Sequence, residues 1–166
     1  MTDRTYLDWP FFEARHKALA LALDAWAKDA LGAVDHADTD AACRTLVRVL
    51  GEGGWLLASG IDADDPASRL DVRTLCVIRE TLARHDGLAD FAFAMQGLGT
   101  GAISLFGSAA QKQEWLSRTR AGTAISAFAL TEPQSGSDVA NLTMQATLRD
   151  GVYHLSGEKT WISNGG

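Results

Sequence analysis

The sequence predicts an α+β chain: an all-helical bundle to about residue 122, then the first strands of an antiparallel β domain. Three observations carry this reading. Apolar residues recur at helical spacing, between capping residues and glycines, over most of the chain. The period changes from helical to strand-like after Ala121-Gly122. Arg149-Asp150-Gly151-Val152 then reads as a tight hairpin.

The elements follow in order. Asp8 is expected to cap a first helix, with Pro10 tolerated in its first turn and Phe12, Leu19, Leu23 and Trp26 inward, ending near Leu31-Gly32. Asp38 or Thr39 caps a second helix that carries Leu46, Val47 and Leu50 and stops at Gly51. Gly53-Gly54 breaks the chain, Trp55-Leu56-Leu57 is a short apolar plug, and Asp62 to Pro66 is a polar loop. Ser68-Arg69-Leu70-Asp71 resembles a capping box for a third helix with Leu75, Ile78 and Leu82 inward, ending at His85-Asp86-Gly87. A fourth, strongly apolar helix starts near Asp90; its glycines Gly97, Gly99 and Gly101 blur the end. Ser108-Ala109-Ala110-Gln111 is a capping box that opens a fifth helix with Trp115 and Leu116 inward. Three strands are then expected: Ala124 to Leu130, Leu142 to Leu148, and Val152 to Leu155, the last continuing past Gly157 to Ile162.

Composition narrows the function. The chain has 166 residues, 46% of them hydrophobic, which supports a buried core. Its net charge is −6 and no run of Lys/Arg stands out, which argues against a nucleic-acid surface. Cys43 and Cys76 read as reduced core thiols, and the four histidines share no ligand spacing, so no metal is expected. The start, MTDRTYLDWPFF, lacks the apolar stretch of a signal peptide and carries Asp3 and Asp8, unlike an acid-poor transit peptide. No run approaches the length of a membrane span; a cytoplasmic protein is the default expectation.

The stretch Ala127 to Asp138, AFALTEPQSGSD, is the centre of the chemistry. A short apolar run breaks at Pro133 and enters the small polar turn Ser135-Gly136-Ser137-Asp138. A turn of this kind exposes backbone N–H groups and hydroxyls that suit phosphate oxygens, although taken bare an ordinary loop is the better reading. A second string, GEKTWISN (Gly157 to Asn164), follows at hairpin distance. On strand alternation, Phe128 and Leu130 share a face, as do Trp161 and Ser163. Trp161 read alone is a plain core tryptophan.

Together TEPQSGSD and GEKTWISN resemble the two flavin-contacting segments of the acyl-CoA dehydrogenase family. That family's signature runs apolar-Thr-Glu-Pro, two variable residues, Gly-Ser-Asp, with a second motif Lys-x-Trp-Ile-Thr/Ser-Asn. The run Phe106 to Leu116 also looks like the family's helix before the β domain. The resemblance implies a barrel-like β domain and FAD as cofactor. It implies that Phe128, Leu130, Thr131, Gly136, Ser137, Trp161, Ile162 and Ser163 form the flavin side. In this implied arrangement Trp161 packs on the flavin, Ser163 bonds near its N5, and Thr131 bonds its pyrimidine edge. Gly136 lets the backbone approach closely. Ser137 bonds the pyrophosphate and lies beside the acyl-CoA chain as a substrate contact. Glu132 and Asp138 hold the turn. Met95, Gly99 and Ile103 are candidates for acyl contact, with core packing as the simpler reading.

The family's reaction is α,β-dehydrogenation of an acyl-CoA thioester: a carboxylate takes the α-proton, flavin N5 takes the β-hydrogen as hydride, and electrons leave to an electron-transfer flavoprotein. The resemblance argues against Glu132 as that carboxylate, so no catalytic residue is assigned, and the chain alone is expected to be inactive. The chain ends at Asn164-Gly165-Gly166 straight after a motif, and is read as a truncated form of a family member that assembles as a homotetramer. Two alternatives stay open: a non-catalytic binding or assembly module, or one chain of a two-chain flavoenzyme; and the same fold with different flavin chemistry, as in acyl-CoA or nitroalkane oxidases.

Overall fold

A computed structural model describes residues 3–165. The chain divides into two compact units, the first ending at Ser126 and the second starting at Ala127.

The first unit is helical. A 3-10 turn (Thr5–Asp8) precedes α1 (Ala14–Ala30). Asp8 does not cap α1: Trp9, which precedes Pro10, is driven extended at ψ 154°, so the helix cannot start there. Glu13 is the cap instead. Its carbonyl accepts from the His16 backbone N–H at 2.9 Å, and His16 Nδ1 accepts from the Glu13 N–H at 2.9 Å. Asp8 pairs with Lys17. Helix α2 (Thr39–Glu52) is capped by Asp38, which accepts from the N–H groups of Asp40 and Ala41, both at 3.0 Å. The apolar plug is a 3-10 turn (Trp55–Ser59) that buries Leu56.

Asp71, rather than Ser68, caps α3 (Val72–His85); the Ser68 hydroxyl accepts from the Asp62 N–H and closes the polar loop. Helix α4 (Gly87–Phe106) starts a turn earlier than the pattern indicates, because Asp86 caps it by accepting from Leu88 and Ala89. Asp90 lies in its first turn and pairs with Arg79. The Ser108–Gln111 capping box is formed, and α5 (Ala109–Gln111) runs through a π-helical turn (Lys112–Leu116) into α6 (Ser117–Arg120). That turn shifts the helical phase. Leu116 is buried, whereas Trp115 is 39% exposed and lies under the Arg118 guanidinium, 5.1 Å from its centroid.

The main core cluster gathers Leu23, Ala27, Leu46, Leu50, Ile78, Leu82, Phe93 and neighbours from α1 to α4 with Leu56 from the 3-10 turn, and a smaller cluster joins Leu7, Ala20 and Val77. Helix α1 packs on α3, α3 on α4, and α4 on α2. Each fully buried Leu contributes about 1.5–3 kcal/mol. At the end of α6 the backbone turns at Gly122 (φ 72°), where a Cβ would meet the Val47 carbonyl at 2.5 Å. Cys43 is half-buried and Cys76 exposed, so Cys76 is not a core thiol. Among the described residues no helix is long and apolar enough to cross a membrane.

Among the described residues the second unit has two strands, not three. β1 (Gln145–Arg149) and β2 (Val152–Ser156) pair antiparallel, Gln145 opposite Ser156 and Arg149 opposite Val152. Asp150 (φ 51°) and Gly151 (φ 79°) make the expected hairpin turn. The alternation puts Ala146, Leu148, Tyr153 and Leu155 on one face and Gln145, Thr147, Arg149, Val152, His154 and Ser156 on the other. The stretch Ala124 to Leu130 joins no strand, and β2 ends at Ser156 instead of running to Ile162.

Candidate functional site

Gln96, an amide in the apolar run of α4, explains why Ala124 to Ser126 is not a strand. It is fully buried. Its Nε2 donates to the carbonyls of Thr119 (3.0 Å) and Ala124 (2.8 Å), and its Oε1 accepts from the Ser126 N–H at 2.9 Å. The Ser126 hydroxyl donates to the Met95 carbonyl at 2.8 Å. The chain leaving α6 is thus pinned along α4 by side-chain bonds that take the place of a strand partner. Met95, Gly99 and Ile103 recur every fourth residue on this helix; Met95 is buried and the other two half-buried.

The second unit is assembled around Glu132, which is 2% exposed. Pro133 sits second in a tight turn, closed by the Glu132 N–H to the Ser135 carbonyl (2.9 Å) and the Ser135 N–H to the Glu132 carbonyl (3.1 Å). The turn folds the Glu132 carboxylate inward, where five donors reach it. Oε2 accepts from the Thr143 N–H (2.7 Å), the Thr143 hydroxyl (2.9 Å) and Gln134 Nε2 (2.7 Å). Oε1 accepts from the Met144 N–H (3.0 Å) and the Lys159 ammonium (2.9 Å). The Thr143 N–H and the Lys159 charge, with the Met144 N–H, outweigh the cost of burial and hold this carboxyl down at about 2.

Lys159 also donates to the Leu130 carbonyl at 2.8 Å, and the Thr160 N–H donates to the Thr131 carbonyl at 2.9 Å. Three segments, 130–135, 143–144 and 159–160, are therefore tied to one charge. Asp138 closes the following loop: its carbonyl accepts from the Ser135 hydroxyl and its carboxylate from Asn141 Nδ2. Glu132 and Asp138 hold the turn, as expected.

Directly after the tie comes Trp161. Its backbone is left-handed (φ 56°) and its side chain is 89% exposed. A bulky residue in this region is disfavoured by about 1–2 kcal/mol. The face-sharing of Trp161 with Ser163, and of Phe128 with Leu130, inferred from strand alternation, does not hold, because neither pair lies in a strand. Phe128, Gly136 and Ser137 are exposed; Leu130, Thr131, Ile162 and Ser163 are half-buried. A Cβ on Gly136 would meet nothing within 4 Å, so the protein itself does not require glycine there. Among the described residues the hydroxyls of Thr131, Ser137 and Ser163 have no hydrogen-bond partner. A groove of about 400 Å³ runs along the apolar hairpin face, lined by Ala129, Leu142, Met144, Ala146, Leu155 and Lys159.

The pattern reading missed Gln96 and gave Lys159 no role. A lone amide inside FAFAMQGLG was the available signal for the first, and the fixed lysine of the second motif for the second.

The donor set fits a flavin. It offers an indole held out in solvent for stacking and free hydroxyls at both motifs for hydrogen bonds to heteroatoms and phosphate.

Comparison with known proteins agrees on the lineage. Residues 13–123 match the acyl-CoA dehydrogenase N-terminal domain and residues 127–166 the acyl-CoA dehydrogenase middle domain. The very long-chain specific acyl-CoA dehydrogenase of Rattus norvegicus mitochondria is 45% identical over 92 residues, covering 54% of this chain and 14% of that protein. The crystal structure of an acyl-CoA dehydrogenase complexed with FAD from Bacillus anthracis superimposes with a TM-score of 0.73 at 32% identity, over 92% of this chain and 27% of that one. A structure described as the electron transferring flavoprotein of Acidaminococcus fermentans gives a TM-score of 0.73 at 26% identity, over 93% of this chain and 41% of that one. The chain thus spans well under half the length of these relatives. With both of its units matched in order, the chain belongs to the acyl-CoA dehydrogenase family.

Proposed function

We propose that this chain carries the flavin half-site of an FAD-dependent acyl-CoA dehydrogenase. The observation that carries the reading is Trp161: fully displayed, in a disfavoured backbone conformation, in a unit where, among the described residues, the hydroxyls of Thr131, Ser137 and Ser163 have no protein partner. Thr131, Ser137 and Ser163 would bond the cofactor, with Phe128, Leu130 and Ile162 as apolar wall and Gly136 leaving room for its approach. FAD, when bound, supplies the acceptor for the β-hydrogen of an acyl-CoA thioester. Ser137 lies on the exposed loop and would also touch the acyl-CoA. The likeness to the Bacillus anthracis FAD complex supports the cofactor, and that to the Acidaminococcus fermentans structure supports an electron-transfer flavoprotein as acceptor. Assembly as a homotetramer is part of the same reading.

Glu132 does not serve as the base for the α-proton. Five donors already occupy its carboxylate, and its proton affinity is far too low. These 166 residues therefore bind FAD weakly and do not turn over acyl-CoA. The test is an FAD titration of the chain, followed by tryptophan fluorescence. Saturable quenching that Trp161→Phe removes and Trp9→Phe keeps is expected. Absence of saturable quenching overturns the cofactor assignment, and acyl-CoA oxidation by the chain alone overturns the inactivity. The exposed apolar hairpin face of Ala146, Leu148, Tyr153 and Leu155 favours one alternative, a two-chain flavoenzyme. An adjacent reading frame encoding the rest of the fold distinguishes it.

A further inference from the structure

We propose that Glu132 and Lys159 act as a positioning pair, an ion pair that sets the spacing between the two motif segments and thereby holds Trp161 displayed in its left-handed conformation. The proposal rests on the flavin reading only in naming what Trp161 is positioned toward.

The geometry separates this from a general folding role. Lys159 is the only residue among those described that bonds both the Glu132 carboxylate and the backbone of the first motif, at the Leu130 carbonyl. One residue later the Thr160 N–H bonds the Thr131 carbonyl, so two successive residues of the second motif are fastened to two successive residues of the first. The chain must then turn away within a single residue, and Trp161 is that residue. On its far side the Gly165 N–H donates to the Ile162 carbonyl (3.2 Å), so the segment is closed from both ends. The indole makes little contact of its own to stabilise φ 56°; at 89% exposure the strain is offset by the bonds before and after it. The β1–β2 ladder, by contrast, takes no bond from Lys159.

Amide exchange on the ¹⁵N-labelled 166-residue chain without cofactor tests this. Lys159→Met keeps the stem and removes the ammonium; Lys159→Arg keeps charge and donors; Glu132→Gln keeps the shape and removes the charge. The expected result for Lys159→Met and Glu132→Gln is about tenfold faster exchange at Thr160. The Trp161 Cα and Cβ shifts should leave their left-handed values while the β1–β2 ladder amides keep their protection. Lys159→Arg should retain the wild-type pattern. Unchanged Thr160 exchange and Trp161 shifts in Lys159→Met overturn the proposal. So does loss of the ladder together with Thr160 in both variants, which would make the pair a general folding element. FAD quenching is scored separately on the same samples. Its absence in the unmodified chain overturns the cofactor reading, while the positioning result, read without cofactor, stands or falls on the exchange data.

Discussion

The two units of this chain are held together by opposite kinds of interaction. In the helical unit, Leu23, Leu46, Leu50, Ile78, Leu82 and Phe93 interlock, and charges stay at the rim. Asp24 is an example: Arg4 and His85 hold it down at about 2 from a partly exposed position. In the second unit a carboxylate takes the central place, and every strand residue is exposed. Apolar burial is non-directional and survives small shifts in geometry. A buried carboxylate with five donors is directional, and the loss of one partner leaves the others unsatisfied. The helical unit is therefore suited to being a scaffold, and the second unit to fixing a few side chains at defined positions.

The largest effect should come from emptying the scaffold. Phe93→Ala is expected to cost about 3–5 kcal/mol, read as a lower urea midpoint by far-ultraviolet circular dichroism. A smaller loss would mean that the core collapses around the void.

Acid should distinguish the units next. Glu132 has a folded value of about 2 against an ordinary 4.5. A lowered carboxyl contributes stability that is fully present above the ordinary value and is lost as pH falls through the folded one. The Thr143 and Met144 amides should therefore lose protection between about pH 4.5 and 2, with the helical signal intact at the upper end of that window. The helical unit has its own depressed carboxyl at Asp71. Burial raises it, but hydrogen bonds from His16, Thr74 and Arg15 outweigh that and keep it below the usual range. Simultaneous loss of both units would break the contrast.

Gln96 is a polar anchor inside the scaffold, as fully buried as His16 and Thr81. Gln96→Leu leaves the carbonyls of Thr119 and Ala124 and the Ser126 N–H without that partner, at an expected cost of about 1–3 kcal/mol. Faster exchange at Ser126 should accompany it; unchanged exchange there would show that Gln96 does not pin the exit. The smallest effect belongs to the rim. Arg48 bonds Glu52 at 2.7 Å one turn away, both exposed, and Arg48→Ala should shift stability by less than about 0.5 kcal/mol, with thermal unfolding as the check.

Much of this was readable in the sequence wherever the determinant was local. Asp38 before an apolar-periodic run, the Ser108–Gln111 box and the Asp150-Gly151 turn each encode their structure within four residues, and each formed as expected. The misplaced features depended on partners elsewhere. Asp8 resembled a cap until Pro10 forced Trp9 extended. Ala124 to Leu130 has strand composition, but Gln96 takes up the groups of its first residues. Trp161 to Ser163 alternates like a strand, yet Lys159 and Thr160 are fastened to residues 130 and 131.

The sequence by itself determined the helices, the hairpin and the two motifs, because periodicity, caps and turn chemistry act between near neighbours. Only the tertiary structure decided that Glu132 is a buried hub and that Trp161 is displayed. Both depend on hydrogen bonds between residues 11 to 29 positions apart, whose directional geometry no local pattern encodes.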